Sequence, residues 1–502
     1  MSLFIGVDCG SQGMKAVVID GESGEVLGVG FQGYDLIQGL PMGHREQNPS
    51  VWIDAMAIVI RDAIHNVDVT KIRGIGVSGQ QHGFVPLDSN GKVIRPAKLW
   101  NDISSIEECK WLINSLGGVE KVVELTGNTI LPGFTAGKIL WMKRNEPKNW
   151  DKLATVLLPH DYLNFWLTGV LRMEYGDASG TALINIRNRD WCHEVVDMID
   201  PILIEKLPNI RPSIEPAGEL QSEPANMLGL KEGILVSAGG GDNMMGAIGT
   251  GNTKPSIATI SLGTSGTIYT YSSRPIVDPL GEVHAFCDST GGWLPLACTM
   301  NVTVTTEIVR NLFGFDFNML ENSIESSPPG AGGLVLLPYL RGERVPNVPD
   351  GTGVLYGLND ETFKASYLTR AAVEGVTMGL NYGFMKMKKM GVEFDEVRLT
   401  GGGSHNKSWR RISADIFGTE IVCLKVDEGA AFGAALQSLW TYETYLGKKS
   451  SIVDITDSFV KLDEETRVKP ITENVAKYNK IQMLQNKLSI DMRDLFRETS
   501  IH

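Results

Sequence analysis

The sequence predicts an α/β protein made of two similar halves facing one another across a cleft, and three observations carry that prediction. Strands at 4–8 and 14–20 flank the tight turn Gly10-Ser11-Gln12-Gly13, and strands at 256–261 and 267–271 flank Gly263-Thr264-Ser265-Gly266 much later in the chain. A strand at 234–238 ending in Gly239-Gly240-Gly241 and leading into a helix is echoed at 397–417, where a strand meets Gly401-Gly402-Gly403 and then a helix. Helix and strand also begin to alternate at 52–65 and 72–78, the pattern of a layered α/β domain. A supersecondary unit repeated at long range points to duplication.

Length and composition set the frame. The chain has 502 residues, enough for two or three domains, with 42% hydrophobic and 21% charged residues, as in an ordinary globular protein. Its 46 basic against 59 acidic residues leave a net charge of −13, which argues against nucleic-acid or anionic-lipid partners. No apolar run reaches the length of a membrane span, and the chain enters its first strand without a basic leader. Six cysteines are scattered without a CxxC pair, which suits reduced thiols and a cytoplasmic location.

In chain order, the first strands continue through the turn 21–24 into a third at 25–30, an antiparallel meander. The first turn joins Asp8, the Ser11 hydroxyl, Gln12, two glycines and Lys15. Backbone N–H groups of such a turn cradle phosphate oxygens, and the neighbouring carboxylate suits a hydrated Mg²⁺. The helix at 52–65 carries Ile53, Ala57, Ile60 and Ile64 on one face. The strand at 72–78 ends in Gly79-Gln80-Gln81-His82-Gly83, whose amides and imidazole suit hydroxyl groups, and Leu99-Trp100-Asn101-Asp102 offers an aromatic face with polar neighbours. Residues 103–230 read as a helix-rich elaboration, in which 177–181 is distinctive without declaring a role.

The stretch 236–243 is the chemical centre. Its three glycines permit close approach to the backbone, and Asp242 at the head of the next helix sits where the dipole favours a charged carboxylate. Such a group can accept a proton from a hydroxyl attacking a phosphoryl group; the plain alternative is a helix N-cap. Later come a strand at 334–340, a long helix, or two, within 361–390, and a small-residue helix starting at 430–435. Beyond about residue 448 the chain reads as a polar peripheral tail with a helical end. The expected domains are 1–247, 248–445 and the tail 446–502.

The ordered set of motifs resembles the FGGY carbohydrate kinases. It comprises Asp8-Cys9-Gly10-Ser11, the 79–83 and 99–102 loops, Pro132-Gly133-Phe134-Thr135-Ala136, Gly239–Asn243, Ser261–Gly266, Leu337–Arg344 and Gly401–Gly403. The resemblance implies an actin-like (ribonuclease H-like) α/β fold with ATP and a sugar in an interdomain cleft. It implies Asp242 as catalytic base and Asp8 as the carboxylate near Mg²⁺ and the phosphates. Gln81, His82 and Asn243, with Trp100 and Asp102, fall on the sugar side. Gly10, Ser11, Gln12, Lys15, Gly263 and Thr264 fall on the phosphates, and Gly402, Gly403 and Asn406 on the adenosine. The implied reaction is ATP-dependent phosphorylation of a terminal hydroxyl of a ketopentose, D-xylulose foremost, by a protein that acts alone or as a homodimer. Gln81 stands where the most similar members carry methionine, and the tryptophan often found before Glu46-Gln47 is missing. Those departures keep ribulose, gluconate, erythritol and glycerol as alternative acceptors. An actin- or chaperone-like ATPase and a catalytically silent sugar sensor are the competing classes, disfavoured by the 79–83 loop, the intact turns and Asp242.

Overall fold

The computed structural model describes residues 2–426 and 429–499, and the chain divides into two compact units. Unit 1 comprises Met1–Lys254, Tyr271–Pro295 and Glu428–Val460; unit 2 comprises Pro255–Thr270, Leu296–Asp427 and Lys461–His502. Each unit is assembled from three stretches of chain, where the sequence leads one to expect contiguous domains at 1–247 and 248–445.

Unit 1 is built on a seven-stranded sheet. Its strands are β1 (Leu3–Cys9), β2 (Gly13–Asp20), β3 (Val26–Gly33), β4 (Ile72–Gly79), β5 (Gly218–Glu219), β6 (Leu235–Val236) and β7 (Gly240–Gly241). The order is β5-β6-β4-β1-β2-β3, with β7 pairing β4 beyond β6. β1 to β3 form the expected antiparallel meander, while β1, β4 and β6 run parallel. β1 is buried along almost its whole length, so its sequence is an apolar run and not an alternation. The helix Ser50–Ile64 packs Trp52, Met56, Val59, Ile60 and Ala63 inward and leaves Asp54, Arg61 and Asp62 exposed, the spacing of one helical face.

The strand expected at 234–238 is broken, and it resumes through the glycines as β7. Buried Gln437 explains the break. Its side-chain oxygen accepts from Ser237 Oγ (2.9 Å) and the Gly239 N–H (2.8 Å), and its amide nitrogen donates to the Gly239 carbonyl (3.0 Å). The side chain thus stands in for the strand partner that these backbone groups lack.

Gln437 lies on the helix Gly429–Tyr445, which lies against the sheet of unit 1. A Cβ at Gly6 would come within 1.9 Å of the Ala431 carbonyl, and one at Gly76 within 2.0 Å of the Ala434 carbonyl, so only bare backbone admits this helix. The same helix crosses Asp242–Gly249, where a Cβ on Gly433 would meet the Met245 carbonyl at 1.8 Å.

Unit 2 repeats the plan. Its strands β8 (Ser256–Leu262), β9 (Gly266–Thr270), β10 (Trp293–Thr299, pairing through 296–299), β11 (Phe394–Thr400), β12 (Glu420–Leu424) and β13 (Leu462–Val468) run in the order β10-β9-β8-β11-β12-β13. The first three are antiparallel, β8, β11 and β12 are parallel, and β13 closes antiparallel, the same order and directions as the path β3-β2-β1-β4-β6-β5 of unit 1. The duplication expected from the two glycine turns is present in the sheets. The long helix is single, Ala365–Lys389.

The tail corrects another expectation. β13 is the edge strand of this sheet, and the helix Thr472–Asp491 buries Tyr478, Gln482 and Gln485 against unit 2, while Ile452–Phe459 belongs to unit 1. The elements of this stretch are thus integral parts of the two units.

Candidate active site

The first turn of unit 1 is held by its carbonyls. Gly10 N–H donates to the Gly13 carbonyl (3.0 Å), and the Gly10 carbonyl accepts from Tyr34 Oη (2.7 Å) and Gln80 Nε2 (3.3 Å). The Ser11 carbonyl accepts from Gln47 Nε2 (2.8 Å), and Gln47 Oε1 in turn accepts from Trp52 Nε1 (3.0 Å) and Gln80 Nε2 (3.2 Å). Two buried amides and a phenol thus hold the turn in one shape. A cavity of about 380 Å³ opens beside it, with Ser11, Gln12, Tyr34, Asp35, Gln38 and Asn101 in its wall.

Asp8, at the end of β1, accepts from Ser78 Oγ (2.7 Å) through Oδ1. Lys15 is its cross-strand partner on β2. Burial raises the Asp8 pKa, and Ser78 and Lys15 only partly oppose that.

Asp242 opens the helix Asp242–Gly249, and the residue in the N-cap position is Gly241. Its Oδ1 accepts from the N–H and side-chain amide of Asn243, at 2.8 and 2.9 Å, and not from a residue further along the first turn. The plain capping role is therefore not the one this carboxylate performs. Its charge state also corrects the expectation, because its pKa is pushed up to about 8 by burial first, then by Asp8 and Asp177. A helix dipole is worth ~0.3–1 kcal/mol at such a position, too little against buried like charges.

Asn243 bridges onward, donating to Gln81 Oε1 at 2.7 Å, and Gln81 Nε2 lies 3.1 Å from Met244 Sδ. The next residue, His82, has φ +63°, left-handed backbone for a residue with a Cβ. Its ring packs beside Phe134 (4.7 Å between centroids) and Phe286 (5.4 Å). Hydrogen bonds thus join Gln81, Asn243 and Asp242, with His82 next to Gln81 in the chain.

Beneath the Gly79 and Gly239 loops lies His160, a residue the sequence did not single out; a Cβ on Gly79 would meet its backbone nitrogen at 2.8 Å. Its Nδ1 is 2.7 Å from Asp177 Oδ2, and its Nε2 lies 3.0 Å from Asp161 Oδ1, off the hydrogen-bond direction. Burial alone would lower the His160 pKa, but the two carboxylates outweigh it and hold it well above the usual value.

Asp102, expected on the sugar side, is engaged by its own neighbours. Its carboxylate accepts from the Arg45 and Ser104 N–H groups and faces Lys98 Nζ at 3.4 Å. His44, Glu46 and Asp102 together have the spacing of a metal site. The Lys98 ammonium already stands among them, 3.0 Å from Glu46 and 3.4 Å from His44 Nδ1, so the position of a cation is taken. Trp100 lies near by, half-buried, with its carbonyl against Gly133.

The second phosphate turn and the residues expected at the adenosine lie in unit 2. The carbonyls of Gly263 and Thr264 accept from the N–H groups of Thr303 (2.9 Å) and Val302 (3.1 Å), so this turn too is anchored by its carbonyls. Gly402 faces open space, whereas a Cβ on Gly403 would strike Leu262 and Trp409. Asn406 caps the helix Lys407–Phe417, its Oδ1 accepting from the Trp409 N–H (2.8 Å).

For a divalent cation the donor set fits at Asp8. The Asp8 carboxylate is an oxygen donor at the end of its strand, and its charge raises the pKa of Asp242, a repulsion between like charges that a nearby cation relieves.

A buried carboxylate beside an amide and imidazole loop, in a chain of duplicated sheets with anchored glycine turns, has the parts of a phosphotransferase. The chain belongs to the FGGY family of carbohydrate kinases: the family's N-terminal domain matches residues 3–249 and its C-terminal domain residues 258–442. It is 39% identical over 484 residues to a xylulose kinase of Haemophilus influenzae, covering 95% of this chain and 97% of the relative. It is 34% identical over 506 residues to one of Bacillus subtilis, covering 99% and 98%. A solved structure described as a xyloylose kinase from Brucella ovis superposes with a TM-score of 0.90 at 30% identity, covering 98% of this chain and 100% of that one. The fold is that of the actin-like ATPases.

Proposed function

We propose that the protein is an ATP-dependent sugar kinase that transfers the γ-phosphoryl group of ATP to a terminal hydroxyl of D-xylulose, giving D-xylulose 5-phosphate. The observation that carries this reading is the Asp242 carboxylate, buried, released from capping and tied through Asn243 to Gln81. Asp242 takes the proton of the attacking hydroxyl while the oxygen bonds to phosphorus and ADP leaves. A base with a pKa near 8 is well matched to that task, since proton affinity and availability are both substantial near neutral pH. Gln81, His82, Asn243 and the Trp100 face orient the sugar, and most of the catalysis is positioning and electrostatics.

The turns at Gly10–Gly13, with Lys15, and at Gly263–Thr264 take the phosphates. Gly402 and Gly403 take the adenosine by presenting bare backbone, with Asn406 beside them. Asp8 would hold Mg²⁺, which supplies positive charge against the triphosphate. The choice of D-xylulose rests on the relatives named above. No helix among the described residues is long and apolar enough to cross a membrane, and we assign the enzyme to the cytoplasm, where ATP is available.

ADP release measured with D-xylulose, D-ribulose, gluconate, erythritol and glycerol tests the assignment. D-xylulose should lead in kcat/KM by at least ~10-fold, the discrimination available from one or two hydroxyl contacts. A different leading acceptor would move the assignment within the family, and ADP release indifferent to any sugar would make the protein an ATPase.

A further inference from the structure

The backbone of His82 is held from outside its own loop. Its carbonyl accepts from Lys138 Nζ at 2.8 Å and from Thr135 Oγ1 at 3.2 Å, and both donors come from the helix Thr135–Asn145, where both side chains are fully buried. Lys138 Nζ also donates to the Gly133 carbonyl at 2.5 Å, so one ammonium joins the 79–83 loop to the 132–134 turn. On the other side, Gly180 makes room for the ring, since a Cβ there would lie 1.8 Å from His82 Nδ1. The His82 amide faces the Asp177 carboxylate.

A buried ammonium is expensive to desolvate, and a methionine of similar length would fill the same space without that cost. What a lysine adds is charge-assisted hydrogen bonding to carbonyls. Here those carbonyls flank a histidine in a backbone region that disfavours any residue with a Cβ. Left to itself, such a residue would relax and swing its ring away.

We propose that Lys138, assisted by Thr135, is a positioning residue that holds His82 in its left-handed conformation and so fixes the direction of the imidazole toward the sugar. The inference rests on the reading of His82 as a sugar-binding residue.

The test is a double-mutant cycle on the full chain, with KM for D-xylulose and for ATP measured separately. Glycine at 82 removes the imidazole and adopts the left-handed backbone without strain. Lys138→Met should raise the sugar KM by ~10-fold while leaving the ATP KM within about twofold, the effect of removing one hydrogen bond from a desolvated site. In the His82→Gly background, adding Lys138→Met should leave the sugar KM unchanged. An equal rise in both backgrounds overturns the proposal and makes Lys138 a general structural pin. If His82→Gly alone leaves the sugar KM unchanged, the reading of His82 fails instead. Should Lys138→Met not fold, the cycle with Thr135→Val decides: a sugar KM raised about threefold only when His82 is present supports the proposal, and no such dependence overturns it.

Discussion

One amide nitrogen ties Asp242 to Gln81: Asn243 Nδ2 lies 2.9 Å from Asp242 Oδ1 and 2.7 Å from Gln81 Oε1. Because it donates to the Asp242 carboxylate, it favours the ionised form and partly opposes the upward shift. Asn243→Ala removes that donor while the backbone N–H of residue 243 remains. The acid limb of the pH–kcat/KM profile should move to higher pH by ~0.5–1 unit, with a weaker sugar KM. A limb that stays put or moves to lower pH would mean that Asn243 does not set the charge of Asp242.

Asp242→Asn keeps the shape of the side chain and removes its proton acceptor. Turnover should fall by at least ~10²-fold, with sugar affinity kept within an order of magnitude. Near-native turnover would remove Asp242 from the chemistry.

The same substitution has a signature in stability. The pKa of Asp242 is about 8 in the folded protein against an ordinary value of 3.8, so folding favours its neutral form. Any stability linked to this group is therefore complete below pH 3.8 and is lost as pH rises toward 8. Asp242→Asn should melt with the parent near pH 4 and several degrees above it at pH 8. Equal melting temperatures across that range would show that the carboxylate is not strained by its surroundings.

Gln47→Leu would strip the Ser11 carbonyl of its donor and leave Trp52 Nε1 without its acceptor. A loss of ~1–3 kcal/mol in stability follows from such buried polar groups. Since the turn at 10–13 is assigned to phosphate, the ATP KM should rise more than the sugar KM. The reverse order would reassign the turn to the sugar.

Gly433→Val places side-chain atoms where the Met245 carbonyl lies. The Asp242 helix must move away, and both stability and kcat should fall together, with at least ~1–3 kcal/mol lost in urea unfolding. A stable, fully active variant would show that the crossing of these two helices is not needed to seat the base.

Much of this was legible in the sequence because it is local. Asp8, Asp242, Asn243, Gln81 and His82 stand at strand ends beside glycines, and strand–glycine–helix grammar is written in adjacent residues. What was not legible acts across distance through backbone carbonyls. Lys138 and Thr135 on His82, Gln47 on Ser11 and Tyr34 on Gly10 make hydrogen bonds that depend on the fold and carry no motif of their own. The buried pairing of Asp102 with Lys98, four residues earlier, is likewise silent in the sequence, because a buried lysine is too rare to expect there. β13 was read as tail because an edge strand need not alternate: its acidic face and Arg467 serve an ion-pair network with Glu396, Glu420 and Glu464.

The return of Gly429–Tyr445 to the first sheet also sets the timetable of biosynthesis. A ribosome that has released residue 254 has delivered most of unit 1, yet the backbone at Gly6 and Gly76 still lacks its covering helix and the Ser237–Gly239 gap still lacks Gln437. That half-finished sheet must wait, with apolar surface uncovered, while about 190 further residues emerge, roughly ten to forty seconds at ~5–20 residues per second. The nascent chain is therefore most exposed to aggregation and to chaperone capture in the interval before residue 445 clears the exit tunnel.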